Sequence, residues 1–462
     1  MLTTKLAFSA THILQNLQFF DICLLLRLPA PSKAYHFITD SDTTAWWALM
    51  INPSGHSTQL PKLHISNQLS VAHTEATQTN PADQTNASDH CDATQPGYGF
   101  LSGWAGCMDY SQEFSLTPEL RGDFYRFDYC LLLNPESNAV YVVSEVPLGE
   151  DQLDNINSCL AKLLDSCETS SGDEHICENN DHPNEKHWDA TPHQRHWAAR
   201  WSKQDYTTAF NSIQEYINAG DCYQVNLTMP FTCQDDLTTA PPYDLLNTFN
   251  APHSTYFKTP SRTIFSVSPE RFLKIENGEI ETRPIKGTAP RHSDSKLDAE
   301  LAISLTSSTK NQAENLMIVD LLRNDLSRSA TPGSVEVKEL FKLESHHNVH
   351  HLVSTITAQL STSPRKAISN AFPGGSITGA PKKRAMEIIN ELEAQPRGAY
   401  CGSIGYLDDR GNADFNILIR TIEATTEGAI CWGGGGITTA SDADDEYNEI
   451  YNKIGKIIDF PL

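Results

Sequence analysis

Alternating apolar and polar positions predict short β-strands through much of the chain. The clearest runs are 46–51 and 125–143 in the first third, followed by 223–231 and 263–275. Each run combines β-branched or aromatic residues with turn-forming residues at its ends, which is typical of strands. The pattern indicates a protein with many strands.

Helical spacing of apolar residues is found in separate segments. It predicts helices at 154–165, at 206–218 with Gly220 just beyond its end, and at 310–324. The third helix is expected to bury one apolar face, made of Ala313, Leu316, Met317 and Leu321. Near the C-terminus, Tyr447, Ile450, Ile454, Ile457 and Ile458 form a further helical stripe. Strands and helices together predict an α+β fold.

Two polar stretches, 73–95 and 166–195, have few residues that a core could bury. Both lie in a weakly patterned N-terminal part, residues 1–200, which is followed by a C-terminal part, residues 201–462, that holds the chemical motifs. We expect one intertwined unit, in which the polar stretches are insertions of unassigned role.

Composition narrows the classes of partner. The chain has a formal net charge of −24, which disfavours nucleic acid and anionic membranes. Its longest early apolar run, from Ile22 to Leu26, is too short to cross a membrane. It has 11 cysteines and no C-x-x-C pair, which favours reduced thiols and a cytoplasmic location.

The sequence around Lys286 makes this lysine a candidate nucleophile. Lys286 lies between Pro284 and Gly287, which predict a constrained turn. Arg283 and Arg291 flank it, and neighbouring cations together with burial disfavour the ammonium form of a lysine. An amine that loses its proton near neutral pH is a nucleophile. The alternative is a surface lysine in a polar loop.

Carboxylates on two predicted helices suggest a divalent metal. Glu314 lies on the first, and Glu446, Glu449 and Lys453 share one face of the second at spacings i, i+3 and i+7. Oxygen ligands with no Cys or His between them suit Mg²⁺. The alternative for either helix is an acidic face in contact with solvent.

The segment 374–383 contains a G-x-x-x-x-G spacing and is expected to open a helix. Ser376 or Thr378 could cap that helix, and Pro381 suits its first turn. Free N–H groups at such a terminus attract anions. A nucleotide site is disfavoured, because Ala380 and Pro381 occupy the places of the P-loop lysine and hydroxyl residue.

Glycines 433–436 follow the predicted strand 429–432 and would leave backbone N–H groups free for an anion; the alternative is a flexible turn. Arg420 ends the predicted strand 415–419 and could bind a carboxylate in a bidentate manner. A surface ion pair is the alternative for this arginine.

Four histidines lie close together in the chain: His346, His347, His350 and His351. They form two i, i+4 pairs, but neither an H-E-x-x-H pattern nor a nearby cysteine supports zinc. A single structural or catalytic histidine, just before a strand that enters the core, is favoured.

Taken together, these motifs resemble the chorismate-utilising enzymes. The resemblance rests on long motifs in order between Gln224 and Lys453, and only loosely on the N-terminal third. The motifs are Ser268–Phe272, Arg283–Thr288, Ala313–Asp325, His351–Ser354, Gly379–Lys382, Ile419–Thr421 and Gly434–Ile437. The resemblance implies two large antiparallel β-sheets packed face to face, with helices outside.

The resemblance also implies roles for individual residues. Mg²⁺ would be held by Glu314 and Glu449, with Glu446 nearby, and would reach the ring carboxylate of chorismate. The substrate-binding residues implied are Thr288, Ser376, Tyr400, Arg420, Gly434, Gly435, Gly436 and Lys453. These groups would supply the local positive field that a dianion needs on an acidic protein.

Lysine at position 286 implies the branch of the family that makes 4-amino-4-deoxychorismate for folate synthesis. In that branch the lysine amine attacks ring carbon 2, and ammonia later enters at carbon 4. Glu270 is implied as the proton donor to the leaving hydroxyl, with His351 in support. The rival is the branch that makes anthranilate, which lacks this lysine.

The chain contains no nucleophilic cysteine in a G-x-C-x-G elbow. Ammonia is therefore expected from a separate glutaminase subunit, and no fused lyase is expected within the 462 residues. Residues 49–53 depart from the Leu-Leu-x-Ser type of segment beside which family members often hold tryptophan, which leaves tryptophan binding open.

Overall fold

A computed structural model of the protein describes residues 2–28, 46–61, 100–110, 120–168, 196–345 and 349–462. Both predicted polar insertions lie outside the described residues, apart from positions 166–168, which belong to a helix. Over the described ranges, no helix is long and apolar enough to cross a membrane.

The structure has strands and helices in nearly every part of the described chain. The strands are β1 (Leu2–Leu6), β2 (Cys23–Leu28), β3 (Trp46–Ile51), β4 (Gly55–Gln59), β5 (Gly103–Met108), β6 (Arg121–Phe127), β7 (Cys130–Asn134), β8 (Ala139–Ser144), β9 (Ala198–Ala199), β10 (Gln224–Cys233), β11 (His253–Lys258), β12 (Thr263–Ser268), β13 (Arg271–Glu276), β14 (Glu279–Thr282), β15 (Ile285–Pro290), β16 (Glu336–Ser345), β17 (Val349–Gln359), β18 (Gly379–Ala380), β19 (Ser403–Asp408), β20 (Ala413–Asn416), β21 (Thr421–Thr425) and β22 (Gly428–Ile437). The helices are α1 (Ala10–Gln15), α2 (Glu150–Glu168), α3 (Lys203–Asn218), α4 (Tyr243–Phe249), α5 (Ser295–Ser307), α6 (Thr309–Ser327), α7 (Pro364–Ala371), α8 (Lys382–Glu393) and α9 (Ala443–Ile458).

Two antiparallel sheets contain these strands. Over the described residues, the larger sheet has 12 strands in the order β1-β8-β7-β3-β2-β11-β12-β21-β22-β10-β18, with β9 beside β10. The smaller sheet has 10 strands in the order β15-β17-β14-β13-β20-β19-β5-β6-β4, with β16 beside β17. The predicted fold class is confirmed. Strands from before and after residue 200 occur in both sheets.

The alternation of side chains along single strands explains how the sheets pack. On β2, Leu24 and Leu26 join a core cluster that also contains residues of the smaller sheet. Cys23 and Leu25 point the other way, into a cluster with helices α1, α2, α3 and α9. The larger sheet therefore buries one face against the smaller sheet and the other face under helices.

Several predicted elements have different bounds in the structure. The run 125–143 forms three strands, β6 to β8, and the run 263–275 forms two, β12 and β13. Helix α2 extends beyond the predicted 154–165 at both ends. In α3 the predicted stripe is confirmed, and Gly220 follows it with φ +83°.

The predicted apolar face of the 310–324 helix is wrong. Helix α6 buries a different set of side chains, namely Asn315, Ile318, Val319, Leu322, Asp325 and Leu326. Leu316, expected to be buried, is 46% exposed. The buried face includes an asparagine and an aspartate, which a count of apolar positions leaves out; both find partners inside the protein.

Asp325 forms a buried ion pair between helices. Lys382 at the start of α8 places its Nζ 2.6 Å from Asp325 Oδ2 and also donates to the carbonyl oxygens of Ala371 and Pro373, at 3.0 and 2.9 Å. Both side chains are nearly inaccessible to solvent. The ion pair fixes α6 against the segment that leads into α8.

We expect Asp325→Leu to lower the free energy of unfolding by about 3–5 kcal/mol, because the Lys382 ammonium stays buried without its carboxylate. Urea-induced unfolding measures this change. The matched control is Lys382→Met combined with Asp325→Leu, which removes both charges and should cost clearly less. Equal losses in the single and double variants would contradict the prediction.

Candidate active site

Lys286 lies in a β-bulge and not in the predicted turn. Strand β15 pairs with β17 through Ile285 and Val353, then through Thr288 and His351, so one extra residue stands on the β15 side. Gly287 has φ +88°, and a Cβ there would lie 3.0 Å from the Leu305 side chain. The bulge needs a glycine at this position, and it directs Lys286 out of the regular pleat.

The flanking arginines do not act on Lys286 as predicted. Arg283 pairs with Glu344, and Arg291 pairs with Asp298 at 2.9 Å, so carboxylates neutralise both. Desolvation lowers the pKa of Lys286, against the opposing charge of Glu270, and the charge of Lys453 lowers this pKa further. The predicted direction of the shift is therefore right, but its main cause is burial.

Glu270 is the carboxylate that faces Lys286. It is 7% exposed, and burial raises its pKa; the charge of Lys286 and the neighbouring Ser376 hydroxyl act in the opposite direction. Ser376 belongs to the short 3₁₀ turn Gly375–Ile377 and is itself buried. A buried carboxyl beside an amine of lowered pKa is suited to proton transfer.

The two histidines of the described chain that were considered for zinc lie on opposite faces of β17. His351 Nδ1 is 3.0 Å from Thr288 Oγ1, on the side of the bulge. His350 Nε2 is 3.0 Å from Asp298 Oδ1, and its Nδ1 is 2.7 Å from Ser345 Oγ. They share no site, and His346 and His347 lie outside the described residues.

Two glutamates and Lys453 lie within electrostatic range of the Lys286 amine. The charges of Glu314 on α6 and of Glu449 and Lys453 on α9 all act on that amine. Lys453 Nζ is 2.7 Å from Glu449 Oε1, and Glu446 is buried, which raises its pKa. Across the described ranges, no three His, Cys, Asp or Glu side chains form a complete metal site.

Glycines 433–436 lie inside strand β22 and do not follow a strand as predicted. They therefore form neither a flexible turn nor a loop in which every N–H group is free. They pair with β10, with Thr228 opposite Gly434 and Asn226 opposite Gly436. Lys453 donates to the carbonyl oxygen of Gly434 at 2.9 Å, so the polar groups of Gly434 and Gly436 point away from β10. Strand β21 pairs with β22 only as far as Cys431, which leaves these two N–H groups at an open edge.

The surface ion pair considered as the alternative for Arg420 is not found in the described part of the chain. The predicted strand 415–419 ends early, at Asn416, and Arg420 has φ +54°. Within the described residues its guanidinium has no hydrogen bond or ion pair, and burial lowers its pKa. Tyr400 lies in the same core as Trp432 and stacks on it at 5.9 Å between ring centroids, just before the glycines of β22.

The segment 374–383 does not form a nucleotide site. Its lysine, Lys382, is engaged with Asp325 as described above. Pro381 is itself the N-cap of α8, and neither Ser376 nor Thr378 caps the helix. Thr378 instead donates to the carbonyl oxygen of Gly374 at 3.1 Å. The helix therefore begins without the predicted side-chain cap, and anion binding at its terminus stays a prediction.

Two further side chains near the site were missed by sequence reasoning. Gln224 is 1% exposed, and its Nε2 has no partner in the described chain and lies 2.9 Å from where a Cβ on Gly436 would be. Arg397 is buried with Glu393 behind the Ser376 turn. A polar residue at the end of a strand or helix carries no periodic signal of burial.

A lysine of lowered pKa beside a buried acid, with carboxylates and open backbone N–H groups nearby, forms a candidate site for proton transfer and ligand binding. Residues 34–459 match the family model described as chorismate binding enzyme. The chain belongs to this family.

Curated relatives include aminodeoxychorismate synthase component 1 from Salmonella typhimurium, 49% identical over 265 residues, or 57% of this chain and 58% of the relative. The Escherichia coli protein of the same name has the same identity and coverage. An aminodeoxychorismate synthase from Streptomyces griseus is 36% identical over 375 residues, 78% of this chain and 50% of the relative. The chain thus spans 58% or less of the length of these relatives.

Solved structures share the fold. Anthranilate synthase component I from Streptococcus pneumoniae aligns with a TM-score of 0.65 and 23% identity, over 92% of this chain and 94% of that one. The menaquinone-specific isochorismate synthase from Escherichia coli aligns with a TM-score of 0.68 and 16% identity, over 100% and 94%. At these identities the likeness concerns the fold alone.

Proposed function

We propose that this chain is the chorismate-aminating component of an aminodeoxychorismate synthase, which makes 4-amino-4-deoxychorismate for 4-aminobenzoate and folate synthesis. The observation that carries the proposal is the Lys286 amine in its bulge, desolvated and facing the buried Glu270. The curated relatives of that name support it. Residues 201–462 supply these groups, within one intertwined unit with residues 1–200.

The chemistry needs a nucleophile and an acid on this ligand. The neutral Lys286 amine forms a bond to ring carbon 2 and loses a proton, both ring double bonds shift by one position, and the bond from carbon 4 to its hydroxyl breaks. Hydroxide is a poor leaving group, so Glu270 donates a proton and water departs. Ammonia then bonds to carbon 4, both double bonds shift back, and the bond from carbon 2 to Lys286 breaks, while a proton passes from the new amine to the departing lysine. His351, which is hydrogen-bonded to Thr288, is a supporting polar group on the strand beside Lys286.

The remaining groups bind the substrate. Arg420 suits a carboxylate, since its guanidinium is only partly exposed and unpaired in the described chain. The Gly434 and Gly436 N–H groups and Lys453 add donors at the open edge of β22. Ser376 acts through Glu270, and Tyr400 packs behind the glycines.

The donor set fits Mg²⁺, held by Glu314 and Glu449 with Glu446 nearby. Mg²⁺ commonly takes one or two protein carboxylates and completes its shell with water and substrate oxygens. Glu314 and Glu449 lie within electrostatic range of the amine that would react. When bound, the ion would anchor the ring carboxylate and neutralise its charge.

Gly435→Ala tests the carboxylate set. A Cβ at this position would lie 2.8 Å from Glu446 Oε2 and 3.4 Å from Lys453 Nζ. We expect the Mg²⁺ concentration for half-maximal activity to rise by about 10–100-fold, because a displaced neighbour disturbs the ligands. Gly455→Ala, on the helix that carries Glu446 and Lys453, is the matched control, since a Cβ there meets nothing within 4 Å. An unchanged Mg²⁺ requirement in Gly435→Ala would contradict the prediction.

We further propose that a separate glutaminase subunit supplies the ammonia; the word component in the relatives' names supports this. We propose a cytoplasmic location because the eight described cysteines are all free thiols, which suits a reducing compartment.

The deciding experiment incubates the purified chain with chorismate, Mg²⁺ and an ammonium salt at alkaline pH, without a partner subunit. Mass spectrometry identifies the product, and an added aminodeoxychorismate lyase tests its conversion to 4-aminobenzoate. Aminodeoxychorismate is the expected product. Anthranilate would show that Lys286 does not decide the outcome, and failure to bind or convert chorismate, with or without a glutaminase, would overturn the proposal.

A further inference from the structure

Arg397 and Glu393 form a fully buried ion pair behind the candidate site. Arg397 is 1% exposed, its Nε is 2.8 Å from Glu393 Oε2, and its Nη2 is 2.7 Å from Glu393 Oε1. Burying an arginine and a glutamate is costly unless each donor and acceptor is paired. The further partners of this pair therefore show which parts of the protein it holds together.

The remaining donors of Arg397 bind two backbone segments of the site. Its Nη1 donates to the carbonyl oxygen of Ile377 at 3.1 Å, and its Nη2 donates to that of Asn226 at 2.8 Å. Ile377 directly follows Ser376, whose hydroxyl lies beside the Glu270 carboxyl and stabilises its charged form. Asn226 lies on β10 opposite Gly436. One guanidinium thus connects the turn beside the acid to the strand beside the glycines.

Glu393 extends the same connection. Its Oε1 accepts hydrogen bonds from the backbone N–H and the hydroxyl of Thr228, at 3.0 and 2.7 Å, and Thr228 lies opposite Gly434. The carbonyl oxygen of Arg397 accepts from the N–H of Tyr400 at 3.2 Å. The ion pair therefore contacts the turn of Ser376, two positions of β10 and the residue that stacks behind the glycines.

We propose that the Arg397–Glu393 ion pair is a positioning device that holds the Ser376 turn in register with β10, so that Ser376 keeps the Glu270 carboxyl in place for proton transfer. Arg397 and Glu393 act through Ser376 and the backbone, and neither contacts the substrate. The inference rests on the function proposed above.

The first experiment measures the steady-state kinetics and pH profile of Arg397→Met combined with Glu393→Gln, which removes both charges and leaves no single buried ion. We expect kcat to fall by about 10²-fold with a smaller change in KM, because small displacements of reacting groups are costly. Arg397→Lys keeps the charge without the fork of donors and should recover only part of the rate. Arg410→Met with Asp408→Asn, which removes another largely buried pair, is the control for stability.

The pH profile separates positioning from a general loss of structure. Lys286 on β15 and the Ser376 hydroxyl are the groups that act on Glu270, and both stabilise its carboxylate. If the Ser376 hydroxyl moves away from the Glu270 carboxylate, the Glu270 carboxyl keeps its proton to higher pH. One limb of the pH profile reports the titration of Glu270 and should be absent in a Glu270→Gln variant. That limb should shift to higher pH in the double variant and in Ser376→Ala. Adding Ser376→Ala to the double variant should shift it no further.

Amide hydrogen exchange tests the same inference without substrate. Exchange at 374–378 and 226–228 should rise in the double variant and not in the Arg410 control. The wild-type protein could fail to convert chorismate while the double variant still exchanges faster than the wild type. That result would support the positioning role and contradict the proposed function. Unchanged exchange, an unshifted pH limb or additive effects with Ser376→Ala would each overturn the inference.

Discussion

Lys286→Met should abolish the formation of 4-amino-4-deoxychorismate. We expect kcat/KM to fall on the order of 10³-fold or more, since the variant lacks the nucleophile and not merely a binding contact. Methionine keeps much of the apolar volume at the bulge, so the fold should survive. Product analysis after incubation with chorismate and an ammonium salt measures the effect. Trace anthranilate in this variant would indicate that ammonia reaches carbon 2 when the lysine is absent.

Lys274→Met is the matched control for this prediction. Lys274 lies on β13, is also partly buried and pairs with Glu276 at 2.9 Å, but it belongs to none of the groups that act on Lys286. Its substitution should leave kcat/KM nearly unchanged. Mass spectrometry of acid-quenched wild-type protein should detect chorismate-derived mass on Lys286. A Lys286→Met variant that makes aminodeoxychorismate at the wild-type rate would refute the covalent route.

Glu270→Gln should lower kcat by about 10²–10⁴-fold, the usual range for loss of a positioned proton donor. The amide keeps the shape of the carboxyl but cannot supply a proton to the leaving hydroxyl. Burial raises the pKa of Glu270, so in the wild-type protein the protonated acid persists to higher pH than an ordinary glutamic acid. The corresponding limb should vanish from the pH profile of kcat/KM in the variant.

The same substitution should change Lys286. The Glu270 charge raises the pKa of Lys286 against the effect of burial, so its removal should lower that pKa further. Labelling of Lys286 by an amine-reactive reagent should then begin at lower pH than in the wild-type protein. Glu276→Gln, on the same hairpin, is the control for both readouts. A wild-type rate and pH profile in Glu270→Gln would exclude Glu270 as the acid.

Much of the candidate site could be predicted because motifs keep chemically distinct residues in fixed local order. Lys286, Glu314 and Glu449 were each marked by their chemical type, and the structure places them near one another. The wrong predictions concerned residues whose partners are distant in the sequence. The arginines beside Lys286 in the chain proved to be paired elsewhere, and the glycines of β22 proved to lie in a paired strand.

The sequence by itself determined the mixture of strands and helices, the family resemblance and the residue types available for chemistry. These properties depend on periodicity and on short motifs, which are local. Only the tertiary structure decided the β-bulge at Lys286, the open edge of β22 and the buried pair of Arg397 with Glu393. Each of these depends on which distant strand or helix lies alongside. Pairing and desolvation between distant segments have no period along the chain, so the sequence pattern does not reveal them.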